Sequence, residues 1–596
     1  MSVLDRIERL RNVMEQQKID CYIIPTDDYH HSEYVGDYFK FREYITGFTG
    51  SAGTAVFTKD KAGLWTDGRY FIQAEAQLKG SGITLYKSGE SDVPTIEEFL
   101  KSELKEGDVL GFDGRTVTYA QGKRYCRIAD ENGASLKYSL DLAQNIWKER
   151  PEMSMESVFS LADEYTGEKI GSKLERIREI MKENGCNAHV LSSLDDIAWL
   201  LNIRGNDIAY CPLVLSYAIV YNNLVELFAD IRKFSDDIIN LLAENQVKIY
   251  PYEDIYRKVS EMTSEDKLLL DSAIMNYSLY QAISKETVIV DKQNPEILMK
   301  SVKNETQAEN LRKAHLKDAV AHTKFMYWLK KNIGRVEITE LSASARLEGL
   351  RAEQEHFLGP SFGPISAYGE HGAIVHYSAD EKSNVPLKEG KLFMTDTGGH
   401  YLEGSTDITR TVALGEVGNI EKEHFTLVAR AMLRLANTVF LYGCSGANLD
   451  CIAREVFWKE GLNFNHGTGH GVGYLLNIHE GPINFRWKEG ERPAPALEEN
   501  MVITDEPGIY IEGSHGIRLE NELLVRKTVK NEYGQFMNFE ILTYVPIDLD
   551  AILPEKMSTE EKEMLNHYHK QVYEKVSPYL SEEERIWLKE YTRAVK

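Results

Sequence analysis

Histidine and glycine are concentrated in one short stretch of the sequence. The segment Asn465 to Pro482 reads NHGTGHGVGYLLNIHEGP and holds three histidines and five glycines. An imidazole can bind a divalent metal or serve as an acid or base, but a lone histidine among glycines is more often structural. The acidic residues on both sides of the segment decide between these interpretations.

Two pairs of carboxylates flank this stretch. Asp396 and Asp407 lie in LFMTDTGGHYLEGSTDITRTV, among apolar or β-branched neighbours, which predicts two hairpin-connected strands with the carboxylates at neighbouring positions. Glu506 ends an apolar strand in VITDEPG, and Glu520 lies in the apolar strand IRLENELLV. Each acidic residue alone fits a turn, a cap or a solvated face. Together they indicate a cation site, because buried carboxylates need cations.

The donor types and their charge predict two metal ions. Four carboxylates and one imidazole suit hard or borderline divalent ions such as Mn²⁺, Co²⁺ or Zn²⁺ better than a thiolate-loving metal. Two such ions balance the four negative charges, whereas a single ion would leave a large negative charge in a buried site. We therefore expect a dinuclear centre with ions about 3.5–4 Å apart, which lowers the pKa of a bridging water from about 15.7 towards about 7.

The elements that position these residues begin with a repeated unit. Leu4 to Met14 has the pattern of an amphipathic helix, and the apolar run CYIIP after it predicts a buried strand. The same order returns in LERIREIMKENGCNAHVLSSLDDIAWLLNIRG, where Ile177 lies 170 positions after Ile7. This offset predicts two copies of one α/β unit, and hence two domains of similar length.

Further boundaries follow from composition and periodicity. The polar segment KERPEMSMES separates the two copies, and a second boundary falls near VDKQNPEILMKSVKNE. A long helical pattern runs through TQAENLRKAHLKDAVAHTKFMYWLKKNI, and the last residues have the spacing of two helices. We expect an α/β (α+β) protein with domains over residues 1–155, 156–298 and 299–546, and a helical extension over 547–596.

Composition excludes several classes of function. The formal charge of −24 over 596 residues repels polyanions, which argues against binding to nucleic acid or anionic membranes. The longest weakly charged run is interrupted by Pro212 and by Asn222-Asn223, which predicts strand, turn and strand and no membrane span. The six cysteines are scattered, and the N-terminus lacks the apolar core of a secretory signal. We therefore expect a cytoplasmic protein with reduced thiols.

The order of the chemical motifs resembles that of the pita-bread metallopeptidases. An Asp is followed by another eleven residues later, then by His in HGTGHGVG, Glu in TDEPG and Glu in GIRLEN. Within that family the chain is most similar to the three-domain cytosolic Xaa-Pro aminopeptidases, through GFTGSAGTA, WTDGRYF, DDIAWLLNIRG, GAIVHY and LNHYH as well. The resemblance implies two creatinase-like N-terminal α/β domains followed by a pita-bread catalytic domain with a helical tail. It also implies a cytoplasmic homodimer.

The resemblance further implies a set of metal ligands. They are Asp396, Asp407, His470, Glu506 and Glu520. Asp407 and Glu520 would bridge two divalent ions, which we expect to be Mn²⁺, with Zn²⁺ and Co²⁺ as alternatives. Glu506 would also be the general base, taking a proton from the bridging water and passing it to the leaving nitrogen.

Other residues would contact the substrate by the same resemblance. His376 and His479 would act in catalysis by steadying the scissile carbonyl and its oxyanion. His466 would face the substrate or support the site, and the alternative is a structural histidine satisfied by backbone carbonyls. Arg518 and Phe362 are candidates for the substrate region, and Arg518 could instead be a structural partner of a ligand carboxylate.

The implied reaction releases the N-terminal residue from peptides with proline second. The nitrogen of an Xaa-Pro bond carries no hydrogen and leaves only if it is protonated, and proline restricts the peptide backbone, so we expect a dedicated proline pocket. Prolidase and methionine aminopeptidase are alternatives within the fold, although prolidases generally carry one creatinase-like domain and methionine aminopeptidases none. A metal-free binding module is the alternative from a different class, but here all five ligand types are intact.

Overall fold

The computed structural model describes residues 1–488, 490 and 492–596. The helices are α1 Val3–Gln16, α2 Phe41–Thr46, α3 Phe71–Gln77, α4 Ile96–Glu103, α5 Tyr119–Glu131, α6 Ala143–Ile146, α7 Asp163–Thr166, α8 Ile170–Glu183, α9 Leu194–Leu200, α10 Asp236–Glu244, α11 Asp254–Ser260, α12 Tyr277–Ala282, α13 Pro295–Ser301, α14 Glu305–Asn332, α15 Glu340–Ala352, α16 Asn419–Ala436, α17 Gly446–Trp458, α18 Thr559–Val576 and α19 Glu582–Tyr591.

The strands of the N-terminal half are β1 Cys21–Pro25, β2 Thr54–Thr58, β3 Ala62–Thr66, β4 Thr84–Lys87, β5 Val109–Phe112, β6 Ser135–Lys137, β7 Phe159–Ser160, β8 Ala188–Leu191, β9 Ile203–Arg204, β10 Tyr217–Tyr221, β11 Val225–Phe228, β12 Val247–Tyr250, β13 Lys267–Leu270 and β14 Val288–Asp291. Those of the C-terminal half are β15 Phe357–Pro360, β16 Ile365–Tyr368, β17 Lys391–Thr397, β18 Gly399–Tyr401, β19 Gly404–Ser405, β20 Ile408–Leu414, β21 Phe440–Leu441, β22 Gly469–Val472, β23 His479–Phe485, β24 Val502–Asp505, β25 Gly508–Ile511, β26 His515–Arg518, β27 Asn521–Asn531 and β28 Gly534–Ile541.

The chain forms two compact units. The first comprises residues 1–161 and 168–296, and the second comprises 162–167 and 297–596. Both predicted N-terminal domains fall largely in the first unit, and the boundaries assigned from the sequence stay a prediction. The four carboxylates and four histidines of the predicted site all belong to the second unit.

The first unit contains the predicted repeat. One six-stranded sheet has the order β4-β3-β2-β1-β5-β6, and the other has β12-β11-β10-β8-β13-β14. In the first sheet β1 pairs antiparallel with β2 and parallel with β5, and in the second β8 pairs antiparallel with β10 and parallel with β13. Both edge strands of each sheet run parallel to their neighbours. The two sheets therefore share one topology, which confirms the duplicated α/β unit.

Local sequence explains the first helix and strand of this unit. Ser2 and Asp5 form a capping box at the start of α1, and Ile7, Leu10 and Met14 are buried at helical spacing. The next strand, β1, is buried at four of its five positions, as a central strand requires. The predicted helix and strand are both confirmed.

The second unit combines sheets with long helices. One sheet has the order β16-β17-β20, and another has β21-β28-β27-β24-β22-β23. The predicted long helix is α14, which spans 28 residues. It begins with an Asn304 capping box and buries His315, Asp318 and His322 on one face. The tail forms α18 and α19, which confirms the two predicted helices.

Two other expectations met different outcomes. The weakly charged run does contain a hairpin, β10 with β11, and no helix of the described residues is long and apolar enough to cross a membrane.

The continuous strand predicted through IRLENELLV is wrong, because β26 ends at Arg518 and β27 begins at Asn521. At the break the Glu520 N–H donates to Thr409 O at 3.1 Å, so the backbone leaves the regular ladder there.

Candidate metal centre

Asp396 and Asp407 are brought together by a pair of adjacent strands. Strand β17 carries Asp396 and pairs antiparallel with β20, which places Asp396 opposite Thr409. Asp407 immediately precedes β20, and both carboxylates are buried. The predicted strand pair is thus confirmed, but the connection is more than a simple hairpin, because β18 and β19 form a separate sheet with β15.

The second acidic pair reaches the same place from another sheet. Glu506 follows β24, and its N–H donates to Thr468 O at 2.8 Å, beside strand β22 that carries His470. The Thr409 hydroxyl donates to Glu520 Oε2 at 2.9 Å, which joins Glu520 to the strand that faces Asp396. One hydrogen bond within this sheet therefore fixes Glu506 beside the strand of His470, and one to the other sheet fixes Glu520 beside the strand that faces Asp396.

Ligand-type atoms from these residues converge on one small region. Three groups, Asp396/Asp407/Glu520, His470/Glu506/Glu520 and Asp407/His470/His479, each have one ligand atom per residue within 4.8 Å of the others. His470 Nε2 lies 3.5 Å from Asp407 Oδ2 and 3.7 Å from Glu506 Oε1. The groups overlap at Asp407, His470 and Glu520, so they form one continuous set of potential metal ligands.

Burial and mutual repulsion disfavour the ionised form of the crowded carboxylates when no cation is present. Burial raises the pKa of Asp407 well above its ordinary value, and the negative charges of Asp396 and Glu506 add to this. Burial also raises the pKa of Glu520 well above its ordinary value, with Asp407 as the next cause. The pKa of Glu506 is raised by burial as well, against the opposing effect of His470 and Arg518. These directions mark carboxylates that lack positive charge.

The donor set fits a divalent metal pair. Asp396 Oδ1 is buried and has no hydrogen-bond partner in the described part of the chain, as expected of an oxygen atom that serves as a metal ligand. His470 Nδ1 lies 2.9 Å from Gly471 O, which orients the ring so that Nε2 faces the carboxylates. Four carboxylates and an imidazole therefore offer both the charge and the orientation that two divalent ions require.

A hydrogen-bonded chain supports the site from one side. Arg518 Nη2 donates to Asp396 Oδ2 at 2.5 Å, and Arg518 Nη1 donates to Tyr510 OH at 2.8 Å. His466 Nε2 lies 2.8 Å from the same hydroxyl. Burial acts to lower the pKa of Arg518, but Tyr510, Asp396 and Glu506 outweigh it and raise that pKa well above its ordinary value. Of the two predicted roles for Arg518, the contacts fit the structural partner of a carboxylate.

Tyr510 was missed by the reasoning from sequence. It lies in β25, whose antiparallel pairing with β26 places Gly508 opposite Arg518 and Tyr510 opposite Gly516. The glycine-containing turn EGSHG between two apolar runs was the available signal, since a hairpin there brings Tyr510 close to Arg518.

Helix α14 supports the site from behind. The Asp407 N–H donates to Glu522 Oε1 at 2.6 Å, and His315 Nε2 lies 3.0 Å from the other Glu522 oxygen. Asp318 accepts a hydrogen bond from the hydroxyl of Thr406, next to Asp407. The buried polar face of the helix therefore helps to fix the main chain at Asp407, through Thr406 and through Glu522.

The remaining predicted residues lie at different places around the centre. The ring of His479 packs against that of His470 with centroids 4.3 Å apart. His376 is partly exposed, and its charge is one of the causes that lower the pKa of His466 to about 3, after burial and the nearby Arg518. Phe362 is buried and lines a small cavity with Thr397 and Gly398, so it lies close to the strand of Asp396.

The glycines of the histidine segment lie in close contact with neighbouring main chains. A Cβ on Gly469 would lie 1.9 Å from Thr504 O, and one on Gly471 would lie 2.2 Å from Glu480 O. The glycines therefore allow β22 to pack against the main chains of its neighbours.

Comparison with known proteins identifies matching regions along the chain. Residues 6–137 and 149–307 match the Creatinase/Prolidase N-terminal domain, residues 309–527 match Metallopeptidase family M24, and residues 535–595 match the C-terminal region of peptidase M24. These matches confirm the predicted fold class, with two creatinase-like regions, a pita-bread region and a C-terminal region in that order.

Similar proteins extend over nearly the full length. "Xaa-Pro aminopeptidase 1" of Dictyostelium discoideum is 36% identical, covering 97% of this chain and 94% of its own. "Aminopeptidase P1" of Arabidopsis thaliana is 34% identical over 99% of both chains. The crystal structure of X-prolyl aminopeptidase from Caenorhabditis elegans, described as a cytosolic enzyme with a di-nuclear active site, is 33% identical, covers 100% of both chains and has a TM-score of 0.95.

Proposed function

Because this chain belongs to the Xaa-Pro aminopeptidases of metallopeptidase family M24, we propose that it hydrolyses the Xaa-Pro bond of peptides with proline second, releasing the N-terminal residue. The observation that carries the proposal is the convergence of Asp396, Asp407, His470, Glu506 and Glu520 in one site where buried carboxylates outnumber the nearby positive charges.

We assign two divalent ions to this site. Asp396, Asp407, His470, Glu506 and Glu520 would hold them, with Asp407 and Glu520, which each belong to two of the overlapping groups of ligand atoms, as the shared ligands. Once bound, the ions supply Lewis-acid polarisation of the scissile carbonyl and activation of the attacking water. Mn²⁺ is the ion we propose, with Zn²⁺ and Co²⁺ as alternatives, on the basis of the oxygen-rich donor set.

The residues of this chain then move protons and orient the substrate. Glu506 takes a proton from the attacking water and delivers it to the proline nitrogen, which cannot leave as an unprotonated amide. His479, packed beside His470, and His376 donate hydrogen bonds to the carbonyl oxygen as its negative charge grows. His466 and Arg518, tied together by Tyr510, shape the wall of the site next to Asp396.

A kinetic series tests this function. Metal-loaded protein is given Xaa-Pro-Yaa tripeptides, the matching Xaa-Ala-Yaa tripeptides, Xaa-Pro dipeptides and longer peptides with proline second. We expect release of the first residue from the tripeptides and longer peptides with proline, and much slower release from those with alanine. Cleavage restricted to dipeptides would instead identify a prolidase, and cleavage that ignores proline would contradict the proposal.

Two further properties are proposed from the likeness to known proteins. We propose a homodimer, on family likeness alone; light scattering should give about twice the chain mass of 68.0 kDa, and a value of one chain mass would contradict it. We also propose a cytoplasmic location, supported by the cytosolic description of the Caenorhabditis elegans enzyme, and fractionation of cells would test it.

A further inference from the structure

Arg410 is a buried guanidinium beside the proposed metal ligand Glu520. Its Nη1 donates to Glu520 O at 2.5 Å and to Thr409 O at 2.9 Å, and its Nη2 donates to Asn521 Oδ1 at 2.8 Å. Thr409 also receives the Glu520 N–H and donates its hydroxyl to Glu520 Oε2. The main chain and side chain of Glu520 are therefore fixed by a pair of consecutive residues of β20, one of which is Arg410.

The other side of this guanidinium is fixed by Val545 and by Tyr568 of the C-terminal extension. Nη2 donates to Tyr568 OH at 2.7 Å and to Val545 O at 2.8 Å, and Nε reaches Val545 O at 3.2 Å. The Tyr568 hydroxyl has its shortest bond as a donor to the same Val545 O, at 2.6 Å, which leaves its lone pairs facing the guanidinium. Tyr568 is 1% exposed, so water does not substitute for it.

The charge of Arg410 makes this arrangement sensitive to the loss of one partner. Within the part of the chain that the structure describes, the atoms reached by its N–H groups are carbonyl, amide or hydroxyl oxygens, all neutral. A buried charge without a carboxylate partner depends on its full set of hydrogen bonds. We therefore expect that removal of one acceptor changes the orientation of the guanidinium and weakens its hydrogen bond to Glu520 O.

We propose that Tyr568 is a positioning residue for the metal centre, acting through Arg410 on the main chain at Glu520. The inference rests on the proposed function, because it takes Glu520 as a bridging metal ligand. It gives a role to LNHYH in the tail and to the Asn that ends GIRLEN, two motifs that the chemistry of the site does not use. Tyr568 contacts Arg410, and Arg410 contacts the main chain of Glu520. The helical extension thereby supports the metal centre indirectly.

The variant Tyr568→Phe tests the proposal, since it keeps the buried ring and removes only the hydroxyl. We expect the affinity for the weaker-bound of two Mn²⁺ ions to fall about tenfold by competition with a chelating indicator. We also expect kcat on an Xaa-Pro-Yaa tripeptide to fall while KM stays within about twofold, because the substrate contacts are untouched. The visible absorption of the Co²⁺-loaded protein should change, since it reports the geometry of the ligands.

Tyr573→Phe is the matched control on the same helix. Its ring is partly buried against the same core, and its hydroxyl has no hydrogen-bond partner among the described residues. It should match the wild type in metal affinity, kcat and Co²⁺ absorption. If the wild type binds no metal pair, the proposed function itself fails. If the wild type binds two ions and Tyr568→Phe binds them equally well, only the present inference is overturned, whatever happens to thermal stability.

The route through Arg410 is tested by a second variant. Arg410→Lys keeps the charge but cannot span the same acceptors, so it should weaken metal binding at least as much as Tyr568→Phe. Adding Tyr568→Phe to Arg410→Lys should then cause no further loss of metal affinity. Independent, multiplying losses would show that Tyr568 does not act through Arg410. Arg410→Lys also tests the link to Glu520 if Tyr568→Phe does not fold, and unchanged metal affinity in that variant would overturn the proposal.

Discussion

Glu506 is the residue on which the proposed chemistry most depends. Its main chain is tied to Thr468, and its carboxylate lies 3.7 Å from His470 Nε2, among the proposed metal ligands. Glu506→Gln keeps the size of the side chain but cannot accept the proton. We expect kcat on an Xaa-Pro-Yaa tripeptide to fall by about 10²–10⁴-fold.

Two measurements accompany this variant. Circular dichroism should show an unchanged fold, and metal analysis of the variant establishes how many ions it holds when its turnover is measured. Substantial turnover by Glu506→Gln at full metal occupancy would show that another group is the base.

Arg518 gives a second prediction at the residue scale. Its guanidinium spans Asp396 and Tyr510, and the ammonium of a lysine cannot hold both in the same geometry. Arg518→Lys should lower kcat and metal affinity by about tenfold, measured by initial rates and by chelator competition. Arg346→Lys on the exposed surface of α15 is the control and should behave as the wild type. Metal affinity within about twofold of the wild type would contradict the role of Arg518 in holding Asp396.

At the scale of elements, strand β22 fits between its neighbours because of its glycines. A Cβ at Gly469 would lie 1.9 Å from Thr504 O, and a backbone carbonyl cannot yield as a flexible side chain can. Gly469→Ala should therefore push β22 away from β24 and lower the free energy of unfolding by about 1–3 kcal/mol or more. Because β22 carries His470, metal affinity should fall with it.

Gly349→Ala provides the opposite expectation in the same unit. Gly349 lies inside α15, and nothing lies within 4 Å of where its Cβ would be. Alanine has the better helix propensity, so the variant should be neutral or more stable by up to about 1 kcal/mol. Denaturant unfolding of both variants compares the two effects. Equal stability of Gly469→Ala and Gly349→Ala would show that β22 moves freely.

Elements with strong local patterns could be predicted from the sequence, but the bends between them could not. The helix α14 and the β17 and β20 pair follow from patterns visible within one segment, and the duplicated α/β unit follows from the return of one local pattern about 170 residues later. The break at Glu520 could not be found this way, because it depends on Thr409 and Arg410, more than a hundred residues earlier. Tyr510 and the contacts of the histidine glycines depend on the same kind of distant pairing.

The whole molecule should respond to pH through the buried carboxyls when metal is absent. The folded pKa values of Asp407, Glu520 and Glu506 are raised by burial, so the folded state binds more protons than the unfolded chain. Their stabilising contribution is fully present below the unfolded pKa of about 4 and is lost as pH rises through the folded pKa. Each unit of difference corresponds to about 1.4 kcal/mol.

Comparison with Glu520→Gln isolates this effect from other titrating groups. In chelated protein the variant should gain stability relative to the wild type as pH rises from about 5 to about 8, as measured by denaturant unfolding. With saturating Mn²⁺ the wild type should instead be more stable than Glu520→Gln, because the bound ions supply the positive charge that the wild-type carboxylates lack in chelated protein. A difference that does not change with pH would mean that these carboxyls are not held in a buried, proton-binding cluster.

Metal titration of the chelated enzyme tests the central claim most directly. Mn²⁺ is added in steps, while bound metal and Xaa-Pro-Yaa hydrolysis are measured on the same sample. We predict that chelation abolishes hydrolysis, and that turnover returns as occupancy reaches two ions per chain. Protein that holds two ions and leaves such tripeptides intact, or that cleaves them equally fast after complete chelation, would contradict the account.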